Sequence, residues 1–242
     1  MTAHLPPQAP RCWVEEELSA RTIALSAAEQ RHLQKVRRVR AGDPVCVLNG
    51  RGALGTGRLG QDGYVEVTQV ETLPPPRPEI SLYMGALKQS AWEEVLRHAT
   101  ELGVSRIVRV ETAHAVSRLE GKSEKKSARW YELLVEACKQ SANPWLPELS
   151  LMSSVSQAVQ DAGLSPDGWV ACLREGATPL SEALMEKLPG SMAVWIGPEG
   201  DFTDAEVEQI LGTGAVPVSL GPRVLRAETA ALSLLSCLRL NG

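Results

Sequence analysis

Hydrophobic positions along the chain follow two rhythms, and the change from one to the other divides it. Over residues 1–73 short apolar runs alternate with polar residues at period two and are broken by glycine: Val45-Cys46-Val47-Leu48, a Gly-rich bend, then Tyr64-Val65-Glu66-Val67-Thr68-Gln69-Val70. This patterning predicts a small β-barrel rather than βαβ units. One short helix interrupts it, opened by Ser26 with Glu29 as a capping box and running toward Val36. Leu73-Pro74-Pro75-Pro76-Arg77-Pro78 follows. A run so rich in proline joins no sheet and favours an extended spacer, so a domain boundary is expected after residue 73, with 74–242 as the second domain.

Beyond the spacer the period lengthens. Ile80 to Ala86 reads as a strand, after which Trp92, Val95, Leu96, Ala99 and Leu102 recur at helical spacing and Gly103 closes the helix in the left-handed conformation. Val104 to Val110 is a second strand. A Lys-rich loop, Gly121 to Lys126, leads to a helix with Trp130, Leu133, Leu134 and Ala137 on one face, ended by Pro144 and Pro147. Trp169 to Leu173 is a further strand, and Pro179 starts a helix through Leu188.

The last fifty residues repeat one unit twice. Val194-Trp195-Ile196 stops abruptly at Gly197-Pro198-Glu199-Gly200, and Thr203 with Glu206 forms a capping box for a helix that carries Val207, Ile210 and Leu211 inward. Val216 to Leu220 is the next strand, Gly221-Pro222 its turn, and Val224 to Ala230 the entry to a final helix. Five strands alternating with helices predict an α/β domain whose parallel sheet is covered on both faces. The final helix, with Ala227, Ala230, Ala231, Leu232, Leu234, Leu235, Cys237, Leu238 and Leu240, has almost no polar face. A homodimer through the C-terminal domain is therefore expected, the alternative being an internal core helix.

Composition narrows the function. Five cysteines and four histidines are scattered without ligand spacing, so a metal site is not expected. No apolar stretch reaches bilayer-crossing length, and the start of the chain, with Pro6, Pro7 and Pro10, lacks a signal-peptide core, so no membrane partner and a cytoplasmic location are expected. The formal net charge is −4, yet residues 1–73 hold nine Lys/Arg against eight Asp/Glu, while the remainder holds sixteen against twenty-one. Basic density peaks at Arg31, Lys35, Arg37, Arg38 and Arg40, which suit phosphate binding unless they form an ordinary solvated face. Gly50-Arg51-Gly52-Ala53-Leu54-Gly55 matches a dinucleotide fingerprint, but no amphipathic helix opens after it, and it reads as a barrel hairpin.

The Gly197-Pro198-Glu199-Gly200 segment with Glu206, and Leu220-Gly221-Pro222-Arg223-Val224-Leu225-Arg226-Ala227-Glu228-Thr229-Ala230, resemble the two signature segments of the RsmE-type 16S ribosomal RNA methyltransferases of the SPOUT class. The resemblance implies a C-terminal SPOUT domain, a trefoil-knotted parallel sheet that binds S-adenosylmethionine, behind a small N-terminal PUA-like β-barrel that holds RNA through the basic segment. It places Leu173, Ile196, Gly197, Glu199, Gly200, Leu220, Gly221, Val224, Leu225 and Thr229 at the cofactor. It also implies methylation of N3 of a uridine in 16S ribosomal RNA, on the assembled small subunit. Arg226 is then the group that stabilises charge on the uracil carbonyls, and Glu228 either takes the N3 proton or holds Arg226 in place; without the resemblance the two read as a pair capping a helix. The other functions open to such a chain are a non-catalytic ribosome assembly factor that binds RNA and methylation of transfer RNA. Departures from the family pattern are Arg97-His98, His114-Ala115, the missing Gly-Arg after Asn143, and Asp201 in place of a frequent glycine. They fall mostly outside the cofactor loops and so bear on the target nucleotide.

Overall fold

The computed structural model describes residues 9–115, 123–164 and 167–241. Pro6, Pro7, Gly121 and Lys122 lie outside the described residues. The chain divides into two compact units, one of residues 1–75 with 135–146 and the other of 76–134 with 147–242.

The first unit is a five-stranded sheet in the order β1-β3-β4-β5-β2. Its strands are β1 (Arg11–Trp13), β2 (Thr22–Ala24), β3 (Pro44–Leu48), β4 (Ala53–Leu59) and β5 (Tyr64–Thr72). The fingerprint-like glycines form the β3-β4 hairpin, with Gly50 and Gly52 both at positive φ, which a pyrophosphate-binding helix entry does not need. Inward residues of the strands, among them Val45, Val47, Leu59, Val65 and Val67, pack with Leu33 into one core. Helix α1 (Ala27–Arg31) is capped by Ser26, whose Oγ accepts from Glu29 N, and continues as a single π-helical turn over His32–Val36. Only half of the expected capping box forms. The Glu29 carboxylate instead accepts from Trp13 N at 3.1 Å and from Lys139 Nζ at 2.7 Å. Burial works against the charge of Lys139, but the hydrogen bonds it donates to Glu136 and Glu29 outweigh it and hold its pKa above the ordinary value.

The second unit holds a seven-stranded, wholly parallel sheet in the order β10-β12-β9-β11-β6-β7-β8. These are β6 (Glu79–Gly85), β7 (Arg106–Val110), β8 (Glu148–Met152), β9 (Trp169–Ala171), β10 (Thr178–Pro179), β11 (Ser191–Ile196) and β12 (Val216–Ser219). Five strands were expected. β8 is an edge strand that follows two prolines, and with none of its five residues fully buried it carries little signal. β10 is only two residues long.

Helices cover both faces. On one face Tyr83, Val108, Val110, Val170 and Trp195 pack with Val155 and Ala158 of α4 (Val155–Ala162) and Val207 and Ile210 of α6 (Asp204–Leu211). Tyr83 and Trp195 stack at 4.1 Å. The other face carries α2 (Gln89–Glu101), which buries Trp92, Val95, Leu96 and Ala99, and α7 (Ala227–Asn241), which packs on α2 and β11. Gly103, at φ 73°, ends α2 as expected.

Two helices differ from expectation, and the last, α7, forms where it was expected. α3 (Ser123–Ser141) begins inside the stretch expected to be a Lys-rich loop. α5 (Leu180–Ala183) stops well short of Leu188, because none of its residues is buried and no apolar face sustains further turns. α7 buries Ala227, Ala231, Leu234, Leu235 and Leu238, but leaves Leu240 86% exposed. Its one cation, Arg239, is half-buried and has no carboxylate partner among the described residues. Arg239 donates to Pro78 O and Leu102 O at 2.7 Å each and to Gly103 O, so it caps the C-terminus of α2. Among the described residues no helix is long and apolar enough to cross a membrane.

Glu93 of α2 shows how an acidic side chain is kept charged inside this unit. Its two oxygens accept from Arg129 Nε and NH2 at 2.8 and 2.9 Å, and these bonds hold its carboxyl at about 2 against the ordinary 4.5. A depressed folded pKa contributes stability above the unfolded value and loses it as pH falls through the folded one. Glu93→Gln should therefore lower the melting temperature at pH 7, with the gap to wild type closing between pH 4.5 and 2. Thermal scans across that range check this, and a gap independent of pH would contradict it.

Candidate active site

Register decides where the site lies. Ala171 of β9 pairs with Ile196 of β11 on one side and Val218 of β12 on the other, and Ile196 also pairs with Met84 of β6. Four neighbouring strands thus end at nearly one level, and the segments after them leave the sheet side by side. Carboxyl ends of parallel strands are where such sheets hold ligands. Here the segments enclose a cavity of about 690 Å³.

The first turn is built tightly. Asp201 N donates to Pro198 O at 3.0 Å, and Asp201 itself sits at φ 60°. That left-handed conformation is one glycine favours, and aspartate tolerates it because its short side chain bonds locally. Asp201 Oδ1 accepts from Phe202 N at 2.8 Å. The capping box of α6 is complete: Glu206 N donates to Thr203 Oγ1 and Thr203 N to Glu206 Oε2. Glu206 Oε1 also accepts from Ala113 N at 2.9 Å. His114 Nδ1 lies 2.9 Å from Gly200 O; a carbonyl only accepts, so the ring proton is on Nδ1. The turn is thereby tied to the segment after β7. On its other side, a Cβ placed on Gly85 would meet the backbone nitrogen of Pro198 at 2.5 Å, so the end of β6 admits the turn only as glycine.

The second turn follows β12. Gly221 stands at φ 110° with open space around it, and its amide donates to Ser219 Oγ at 3.3 Å. Arg226 O accepts from Ala230 N at 2.8 Å and so opens α7.

Of the residues assigned from the sequence, Leu173, Ile196, Gly197, Glu199, Leu220, Gly221, Val224 and Leu225 border the cavity together with Arg226 and Glu228. Two do not. Gly200 turns toward His114, and Thr229 is exposed on α7. Arg226 is exposed and Glu228 half-buried, and among the described residues no ion pair joins them. Arg31, Lys35, Arg37, Arg38 and Arg40 are all exposed in the first unit, around a Val36 that is itself 68% exposed.

Sequence reasoning missed one wall altogether. Lys88, Ser90, Ala91 and Glu94, at the start of α2, line the cavity, and Lys88 N lies 3.4 Å from Glu199 Oε1. Lys88 caps α2 without a side-chain hydrogen bond, and that uncapped helix start after a strand was the available signal. Cys172 also borders the cavity; burial pushes its thiol up, which keeps it protonated at neutral pH. Leu173 and Val224 stand 62% and 79% exposed at the rim. With backbone turns, charges of both signs and such unpaired apolar side chains, the cavity suits a ligand that has both a flat apolar part and a charged part.

Residues 74–239 match the RNA methyltransferase domain family, and residues 25–68 match the RNA methyltransferase PUA domain family. The chain is 30% identical over 221 residues to ribosomal RNA small subunit methyltransferase E of Synechocystis, covering 89% of this chain and 72% of that relative. It is 29% identical to the protein of the same name from Bacillus subtilis, covering 90% of each. Among solved structures, a putative methyltransferase from Legionella pneumophila in complex with the bound cofactor SAM superposes with a TM-score of 0.86 at 28% identity, over 96% of this chain and 98% of that one. A ribosomal RNA small subunit methyltransferase E from Neisseria gonorrhoeae bound to S-adenosyl methionine gives 0.85 at 25% identity, over 96% and 97%.

Gly85→Ala should push Pro198 off β6. Overpacking of this kind costs about 1–3 kcal/mol. The unfolding midpoint should drop, and amide exchange at residues 197–201 should quicken. A variant with wild-type midpoint and exchange would show that the turn does not depend on this contact.

Proposed function

This chain belongs to the ribosomal RNA small subunit methyltransferase E family, and we propose that it transfers a methyl group from S-adenosylmethionine to N3 of a uridine in 16S ribosomal RNA of the small subunit. The observation that carries the proposal is the convergence of the segments after β6, β9, β11 and β12 on one cavity. The residues there fit the methyl donor. Gly197 and Gly221 let backbone approach a ligand without side chains in the way, Leu173 and Val224 supply apolar cover for an adenine, and Glu199, Lys88 and Glu94 offer charge for the amino-acid portion.

When bound, S-adenosylmethionine supplies a methyl already activated on a cationic sulfur, so the protein's work is to bind, orient and exclude water. Leu173 and Val224 close over the ligand and keep water out. Arg226, at the mouth, takes the negative charge that builds on the uracil carbonyl oxygens once N3 loses its proton. Glu228 accepts that proton; its freedom from any pair with Arg226 supports this role over that of a tether. Holding N3 against the methyl contributes most, since positioning alone lowers such barriers by about 7–11 kcal/mol.

In this reading residues 1–73 are the RNA-holding domain and 74–242 the methyltransferase domain. Arg31, Lys35, Arg37, Arg38 and Arg40 neutralise phosphates. α7 returns from β12 to pack beside α2, the first helix of its unit, which is the course a knotted C-terminus takes. Its outer side, with Leu240, half-buried Leu232 and Cys237, is the homodimer contact, and the protein works in the cytoplasm, where small subunits are.

With small subunits and labelled S-adenosylmethionine, Arg226→Ala should lower methyl incorporation roughly a hundredfold or more while the affinity for the donor holds. A wild-type rate would remove Arg226 from the mechanism, and label entering transfer RNA instead would replace the substrate. Arg37→Ala with Arg38→Ala should weaken RNA binding and flatten its salt dependence by about one unit of slope per lost phosphate contact. Unchanged affinity would make those arginines a solvent face.

A further inference from the structure

The segment that walls the cofactor cavity runs on into a second one. Pro198, Glu199 and Asp201 border the first, and Glu206 borders another of about 660 Å³, lined also by Glu111, Thr112, Leu151, Met152 and Ser154. This second cavity opens at the ends of β7 and β8, on the same edge of the sheet as the first. Among the described residues its lining has two carboxylates and no Lys or Arg, so these walls do not favour a phosphate.

The two carboxylates are not equivalent. Glu206 is committed to Thr203 and Ala113. Glu111 has one oxygen engaged, Oε1 with Arg109 NH1 at 2.9 Å, while Oε2 is enclosed without a hydrogen-bond partner. Thr112 Oγ1, on a residue only 7% exposed, is likewise enclosed and unpartnered. Buried polar atoms are nearly always paired, so two orphans on consecutive residues that line one cavity mark a place for hydrogen-bond partners from outside. Ser154 to Ser156, at the first turn of α4, add amides that the helix leaves unpaired. Leu151, Met152 and Val155 give apolar surface for a flat ring.

We propose that this cavity receives a second nucleobase of the substrate RNA, guanine or cytosine, beside the methylated uridine. The inference rests on the RNA-methylating function above. Glu111 Oε2 accepts from the exocyclic amine, and the α4 amides donate to the ring carbonyl. Uracil lacks the amine and adenine the carbonyl.

Guanosine, cytidine, adenosine and uridine are titrated separately into the isotope-labelled full chain, and amide shifts are followed by NMR. Guanosine, cytidine or both should move the amides of residues 111–113 and 153–156, the stronger of the two identifying the base, and Glu111→Gln or Thr112→Val should abolish the response. No response to either, or an equal response to all four that both variants keep, overturns the proposal. Glu111→Gln retains an oxygen for Arg109 and should raise KM for small subunits roughly tenfold, with the affinity for S-adenosylmethionine unchanged. An unchanged KM in an enzyme that methylates small subunits sinks the subsite alone. A wild type that methylates no small subunit removes the function, and the nucleoside titration still decides the cavity.

Discussion

The register of β9, β11, β12 and β6 is the constraint on which the rest depends. Because Ala171, Ile196, Val218 and Met84 sit at one level, residues far apart in the chain leave the sheet together. A one-residue slip in any of these strands would exchange its faces and lift its turn away from the others. The buried pattern prevents that slip. Tyr83 and Trp195 stack on one face, while Leu82, Met84, Val194 and Ile196 are buried, and reversing either strand would present the wrong side chains to both helical layers. The same register brings Gly85 against Pro198, where a side chain has no room.

Polar anchors then hold the turns that the register has aligned. The Glu206 carboxylate closes the capping box of α6 and also reaches Ala113, and His114 reaches Gly200. α7 is held at its far end by Arg239, which satisfies carbonyls that the end of α2 would otherwise leave open. α2 and α7 each present their first turn to the cavity. Binding groups on four segments are therefore carried by a rigid frame, which is what positioning chemistry requires.

The strand-turn-helix units at the end of the chain were legible because each is local: an apolar run, a Gly-Pro turn, a capping box. So was the β3-β4 hairpin, from the absence of any helix after its glycines. Gly103 and Thr203 did what their types do at helix ends. What could not be read was convergence. Nothing in Lys88 or Glu94 announces a neighbour more than a hundred residues later, because that proximity is set by strand order, and periodicity carries no order. Thr229 was placed at the cofactor by its motif, yet it follows Glu228 around the helix to the exposed side. Glu29 was paired with its own helix start, and a buried lysine, Lys139, claimed it instead. Asp201 shows the reverse case, a departure from pattern that the backbone explains, since its φ is one that glycine favours and aspartate tolerates.

The central claim is that the level strand ends form the methyl-donor site. Hydrogen–deuterium exchange on the full chain, with and without S-adenosylmethionine, tests it most directly. The account predicts protection in residues 85–94, 171–173, 197–201 and 220–228 together, with the first unit unaffected. Protection that left any two of these segments untouched, or that fell elsewhere in the sheet, would contradict it.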